Sequence, residues 1–239
     1  MSQFAKVSQE MKSLANAPQA AILQRFFKTA KGQYGAGDVF LGIKVPQTRK
    51  IALKYVSLDY EDISRLLKSK IHELRLLALL ILVAKYQKTD DKKMKAKIVG
   101  FYLKHTKHIN NWDLVDLSAP NIVGNYLIDK NKDILYRLAK SSNLWEKRIS
   151  VLATFAFIRL GEFKDSLEIS KILLGDLHDL IHKSVGWMLR EIGKRDKKIL
   201  EKFLKENYRQ IPRTMLRYAI EKFPETERKK WLNRNSLHF

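Results

Sequence analysis

Four segments of the chain share one arrangement: a basic residue in a first helical turn, followed by a long apolar run. They are HELRLLALLILVAKY (72–86), WEKRISVLATFAFIR (145–159), HKSVGWMLREIGKR (182–195) and PRTMLRYAIEKF (212–223). Their basic residues, Arg75, Arg148, Lys183 and Arg213, lie 73, 35 and 30 residues apart. The first step is about two periods, and the stretch INNWDLVDLSAP (109–120) falls near its midpoint. A period in the thirties built from helix pairs cannot bury its apolar side within one unit. Each pair must stack on the next, so the chain grows as an array.

The rest of the sequence agrees with helices. Glycine and proline are scarce, at 10 and 5 in 239 residues, and the 3.6-residue apolar period recurs throughout. Pro18, Asp59, Thr89 or Asp90, Pro212 and Pro224 mark helix starts. These features predict an all-α chain of about fourteen helices. The expected form is a single domain over 1–239, an α-solenoid of HEAT-like or armadillo-like helix pairs forming a curved array with a basic concave face. The four repeated segments are the more apolar members of their pairs. They are expected to line the inner layer, with their basic residues exposed at its edge.

Charge then points to a partner. Lys and Arg number 46 against 25 Asp and Glu, a formal net charge of +21. Such self-repulsion costs stability and calls for a polyanion, with nucleic acid first and an anionic membrane surface second. The absence of cysteine excludes disulfides, thiolate zinc sites and cysteine-held iron–sulfur clusters. The N-terminal MSQFAKVSQEMKSL has no apolar core of a signal peptide. The longest apolar run, LLALLILVA (76–84), falls far short of the roughly 20 residues of a membrane span. A soluble intracellular protein is expected.

Several features carry two readings. The glycine-rich segment GQYGAGDVFLGIKVP (32–46) is either a turn packing Phe40, Leu41 and Ile43 on the core or a backbone loop that contacts phosphate. It lacks the Gly-Lys-Ser/Thr of a P-loop. His105 with His108, and His178 with His182, have ligand spacing but no obvious third ligand, so no metal site is expected.

Three features remain. Trp112 and Asp116 lie one helical turn apart and share a face, while Asp113 projects elsewhere and suits a cap. Arg148 opens an otherwise apolar helix. Lys183, Trp187, Arg190 and Lys194, at i, i+4, i+7 and i+11, form a cationic stripe around an aromatic ring. Trp112 alone reads as an ordinary core residue with a solvated Asp116 beside it. Taken with the second tryptophan and the cations, it reads as a site for a planar cation delivered by a polyanion. A DNA base charged by N-alkylation is such a cation. Its glycosidic bond breaks through an oxocarbenium-like sugar, which a carboxylate stabilises.

At these residues the chain resembles the AlkD-type DNA alkylation-repair glycosylases, HEAT-like repeat proteins that excise positively charged N-alkylpurines. The resemblance is carried by YGAGDVFLGIKVPQTRK, NNWDLVDLSAP, LWEKRISVLATFAF and IHKSVGWMLREIGKRD, in this order over nearly the whole chain. It implies that Trp112 and Trp187 are the two aromatics of the lesion site and Asp116 the catalytic carboxylate. It implies that Arg148 and Arg190 contact the DNA backbone; Lys183 and Lys194 are added to that DNA-binding surface by their spacing alone. The damaged base then stays stacked rather than being flipped out, unlike the usual scheme for enzymes acting on bases. The resemblance also implies base excision repair on duplex DNA containing alkylated bases. It further implies a monomer without cofactor or metal, working in a bacterial cytoplasm at the nucleoid. Where some relatives have aromatic residues before the Gly-Trp helix, this chain has Asp179 and Leu180. The competing classes are a non-catalytic HEAT scaffold for nucleic acid or acidic protein, and an armadillo-type peptide binder. The latter would present ladders of Asn and Trp.

Overall fold

The structure is a computed structural model that describes residues 2–233, so the expected domain range of 1–239 runs past it at both ends. Among the described residues the only β pairing is one isolated bridge, Val39 to Ile71, and the remainder is helix and connection. The helices gather into two compact units that divide between Ser118 and Ala119.

The first unit holds α1 (Gln3–Ser13), α2 (Ala17–Phe26), α3 (Val45–Lys54), α4 (Tyr60–Leu67), α5 (His72–Lys88), α6 (Lys92–Lys104) and α7 (Trp112–Ala119). Helix α5 is its centre and packs against α3, α4 and α6. Its run from Leu74 to Ala84 is buried on every side, as an all-round apolar helix must be. Helix α4 shows the opposite design. Asp59 caps it by accepting the Asp62 amide at 2.8 Å, Glu61 and Asp62 fall in its first turn, and Ile63, Leu66 and Leu67 bury one face. Pro18 stands in the first turn of α2, as expected. The cap of α6 is Asp91, which accepts the Lys93 amide, rather than Thr89 or Asp90. Thr89 Oγ1 is used one step earlier, on the Asp91 amide.

The glycine-rich segment packs as a turn. Phe40 and Ile43 are buried. One carboxylate organises the backbone around them: Glu73, 1% exposed, accepts the amides of Leu41 (3.0 Å), Gly42 (2.8 Å) and Ile43 (3.3 Å). Gly42 is obligatory, with φ at +83° and an added Cβ only 2.2 Å from the Asn16 carbonyl oxygen.

The second unit begins where Pro120 has no N–H to extend a helix, and Pro120–Gly124 runs on as a π turn. It continues through α8 (Asn125–Leu127), α9 (Asp133–Ala139), α10 (Leu144–Ala153), α11 (Phe155–Arg159), α12 (Lys164–Ile172), α13 (Asp179–Gly193), α14 (Lys197–Asn207), α15 (Arg213–Ala219) and α16 (Glu225–Leu232). The last two start after Pro212 and Pro224, as expected. The single helix expected over 145–159 is broken at Thr154, whose hydroxyl donates back to the Val151 carbonyl at 2.7 Å. Helix α13 is the centre of this unit and packs against α10, α11, α12, α14 and α15. No helix among the described residues is long and apolar enough to cross a membrane.

One expectation is overturned in both units. The basic residues that open the apolar helices are not all exposed at an edge. Arg75 and Arg148 are 4% and 5% exposed. Their helices are apolar on several faces and so lie within the core, carrying their first turns with them.

Candidate functional site

Helix α7 is set by Asn111, whose buried side chain accepts the Trp112 amide at 2.8 Å. Trp112 and Asp116, one turn on, are both half-buried. The indole lies flat on Phe27, with centroids 5.1 Å apart and planes at 19°, and meets Phe26 edge-on at 5.9 Å. Beneath α7, the fully buried Tyr102 donates to Ser118 Oγ at 2.9 Å, and Ser118 donates to the Leu114 carbonyl. Burial pushes the Tyr102 phenol well above its usual pKa, against the Ser118 bond, and the nearby charge of Asp116 pushes it further. The phenol therefore stays protonated and ties α6 to α7 beside the carboxylate.

Asp113 does more than cap. Its Oδ1 takes the Leu114 amide, and its Oδ2 accepts from His72 Nε2 at 2.8 Å. His72 also faces Asp38 (3.5 Å from Nδ1), and Asp38 pairs with Arg75 at 2.7 Å and accepts from Asn111. Burial favours neutral His72, but the charges and hydrogen bonds of Asp113 and Asp38 outweigh it and raise the imidazole's pKa. Burial likewise works against the Asp38 carboxylate, yet His72, Arg75 and Asn111 hold its pKa below the usual range. This buried network reaches Trp112 through Phe27: His72 stacks on Phe40 at 4.5 Å and lies tilted against Phe27 at 5.1 Å. Its only sequence signal is a set of polar residues, His72, Glu73 and Arg75, opening an otherwise apolar helix.

In the second unit the cationic stripe exists, but it is not bare. Lys183 pairs with Asp179 at 2.6 Å, Lys194 with Glu191 at 2.7 Å, and Arg190 with Glu221 and, at 3.7 Å, Glu191. Burial opposes the ionised forms of Asp179 and Glu191, and the adjoining cations still bring both carboxyls below their usual values. Glu221 is lowered by Lys222 first and by Arg190 as well. The stripe is thus a set of ion pairs, and Glu191, at the intervening position, was the visible sign of it. Trp187 is half-buried 6.0 Å from Phe155, whose other neighbour is the Arg159 guanidinium at 4.2 Å. Arg148, expected at the surface, donates instead to the Leu180 carbonyl at 2.7 Å within the core. Trp145 and Trp231 are buried, so Trp112 and Trp187 are the partly exposed tryptophans among the described residues.

Three of the four paired histidines make structural hydrogen bonds. His105 Nδ1 donates to the Phe101 carbonyl and His105 Nε2 meets Ser64 Oγ; His178 Nδ1 accepts the Leu180 amide, and His182 donates to the Asp176 carbonyl. No cluster of three ligating side chains occurs among the described residues.

The described residues form an all-helical fold of the α-solenoid class. This fold is similar to that of a solved structure described as a predicted DNA alkylation repair enzyme from Enterococcus faecalis. That similarity has a TM-score of 0.66 at 16% identity and covers 88% of this chain and 97% of that one. No curated protein sequence matches the chain. The profile of the DNA alkylation repair enzyme family matches residues 7–223, and the chain belongs to that family. DNA is the partner such a family implies, and a net charge of +21 suits it.

Proposed function

We propose that the protein is a monofunctional glycosylase that hydrolyses the N-glycosidic bond of cationic N-alkylpurines, such as 3-methyladenine and 7-methylguanine, in duplex DNA. The observation that carries this reading is the pairing on α7 of a half-exposed indole with a half-exposed carboxylate, one turn apart, in a chain of this family. Trp112 offers a π face to a cation or to the sugar beside it. Asp116 stabilises the oxocarbenium-like sugar as the bond to the base lengthens. The base leaves with the bonding pair and becomes neutral, so no acid has to protonate it. Water adds to C1′, and its proton passes to Asp116 or to solvent. Trp187 and the cations of its helix, Lys183, Arg190 and Lys194, contact the DNA.

The test is release of free 7-methylguanine from alkylated duplex DNA. Asp116→Asn keeps the shape and removes the charge, so excision should slow by roughly 10² or more while binding of undamaged duplex survives. Excision by Asp116→Asn at the wild-type rate would sink the assignment. Uracil, which lacks the built-in charge, should not be released.

A further inference from the structure

The first unit contains a second polar feature, and it does not involve Asp116. A cleft of about 210 Å³ lies between the glycine-rich loop, the α4–α5 connection and the segment before α7. Gly37, Lys70, Arg75, Lys107, His108 and Asn110 line it, with Asp38. Two features mark this cleft.

The first is charge. On α13 each cation of the stripe has a carboxylate. Here Lys70 and Lys107 are exposed and make no ion pair among the described residues. The single lining carboxylate, Asp38, is already committed to Arg75, His72 and Asn111. Counting Lys70, Lys107 and Arg75 against Asp38 leaves a surplus of two positive charges before His108 is considered. Lys68 stands near enough to act on His108 as well.

The second is unmet hydrogen bonding. Arg75 is 4% exposed; its Nη1 donates to the Ser69 carbonyl and its Nη2 meets Asp38, but its buried Nε has no partner. His108 Nε2 and Asn110 Oδ1, also buried atoms, have none either. Buried polar atoms are costly to leave unpaired, so three of them on residues that line one cleft point to a ligand as partner. A half-turn of the Asn110 amide presents its nitrogen in place of the oxygen, which would make all three donors. Gly37, with φ at +87° and nothing within 4 Å of an added Cβ, leaves the backbone open to close approach.

We propose that this cleft is an oxyanion site that takes one phosphate group, held by Lys70 and Lys107 at its mouth and by Arg75, His108 and Asn110 at its floor. Tetrahedral oxygens suit donors that converge from several directions, whereas a planar carboxylate satisfies fewer of them. Burial first, then Lys107, His105, Lys68 and Arg75, hold His108 below its usual pKa. A bound anion reverses that field, so His108 should become easier to protonate. The phosphate belongs either to a nucleic-acid strand or to a free phosphate species, and the site needs no damaged base. It therefore stands or falls apart from the glycosylase reading.

The experiment titrates the full chain with inorganic phosphate and follows the Gly37 amide and the His108 imidazole by NMR. The wild type should show saturable shifts at both and a rise in the His108 pKa. Lys70→Gln with Lys107→Gln, at exposed positions that do not threaten folding, should weaken phosphate binding at least tenfold. A second arm measures undamaged duplex affinity against salt. If the site holds a strand phosphate, the double variant's log–log slope should be shallower by about 0.9; an unchanged slope with lost phosphate binding assigns the site to a free phosphate. Absence of saturable shifts in the wild type, or shifts that the double variant retains in full, overturns the proposal.

Discussion

Trp112 lies flat against Phe27, with ring planes at 19° and centroids 5.1 Å apart, so one face of the indole is already occupied by the protein. Only the opposite face and an edge remain for a ligand. Phe27 itself is fixed from behind by Phe40 at 5.0 Å and by His72 at 5.1 Å. The ring that would meet a damaged nucleotide is the top of a stack that reaches the buried ionic network.

Phe27→Leu should therefore reduce excision although Phe27 is itself buried beneath the indole. Stacked pairs are worth about 0.5–1.5 kcal/mol beyond their buried area, which corresponds to roughly 2- to 10-fold in kcat/KM. Single-turnover excision of 7-methylguanine checks this. The loss should be smaller than that of Asp116→Asn, and equal losses would mean that Phe27 does more than position the indole.

The network itself predicts a pH dependence of stability. His72 has a raised pKa, so the folded chain binds its proton more tightly than the unfolded chain does. Its contribution is complete below the unfolded value of about 6.5 and is lost as pH rises through the folded value. Asp38, with a lowered pKa, contributes above its unfolded value of about 3.9 and loses that contribution as pH falls. Urea midpoints should thus decline on both sides of a maximum. His72→Asn should flatten the alkaline limb; an unaltered limb would show that another group causes it.

Arg148 separates structural from DNA-contacting roles. Truncation removes its donor to the Leu180 carbonyl within the core, so Arg148→Ala should cost about 1–3 kcal/mol of stability. Arg148→Lys keeps the charge but not the planar fork. If Arg148 acts mainly in the core, the lysine variant should also melt lower. Full stability with weakened DNA binding in that variant would instead return Arg148 to the DNA surface.

On α13 the paired acids restrain the cations. Glu221→Gln removes one partner of Arg190 and leaves Glu191. Duplex affinity should rise a few-fold, with a steeper dependence on salt, as one more cation becomes available to phosphate. Anisotropy titrations at two salt concentrations measure both. Weaker binding in Glu221→Gln would mean that the ion pair orients Arg190 for DNA.

Helices were legible from sequence because their signals are local. The apolar period, Asp59, Pro18, Pro212 and Pro224 each act within a turn or two, and each stands where expected. The position of Trp112 and Asp116 on one turn of α7 followed from the same local geometry. What escaped was pairing across long separations. Asp38 reaches Arg75, Glu73 reaches residues 41–43, and Glu221 reaches Arg190, each from about 30 residues away or more. A formal charge count treats such residues as free, and so the stripe on α13 looked barer than it is. Arg148 was misplaced for a related reason: a guanidinium beside a backbone carbonyl is at home in a core, and no local pattern announces the carbonyl.

Glu73 has a consequence for synthesis. The amides it gathers belong to residues made about 30 positions earlier, and until the carboxylate emerges the turn at 41–43 has nothing to close upon. At about 5–20 residues per second, that is a wait of about 2 to 6 s during translation. The turn at 41–43 therefore cannot close as it emerges, and it is completed only when the first turn of α5 follows it out of the ribosome.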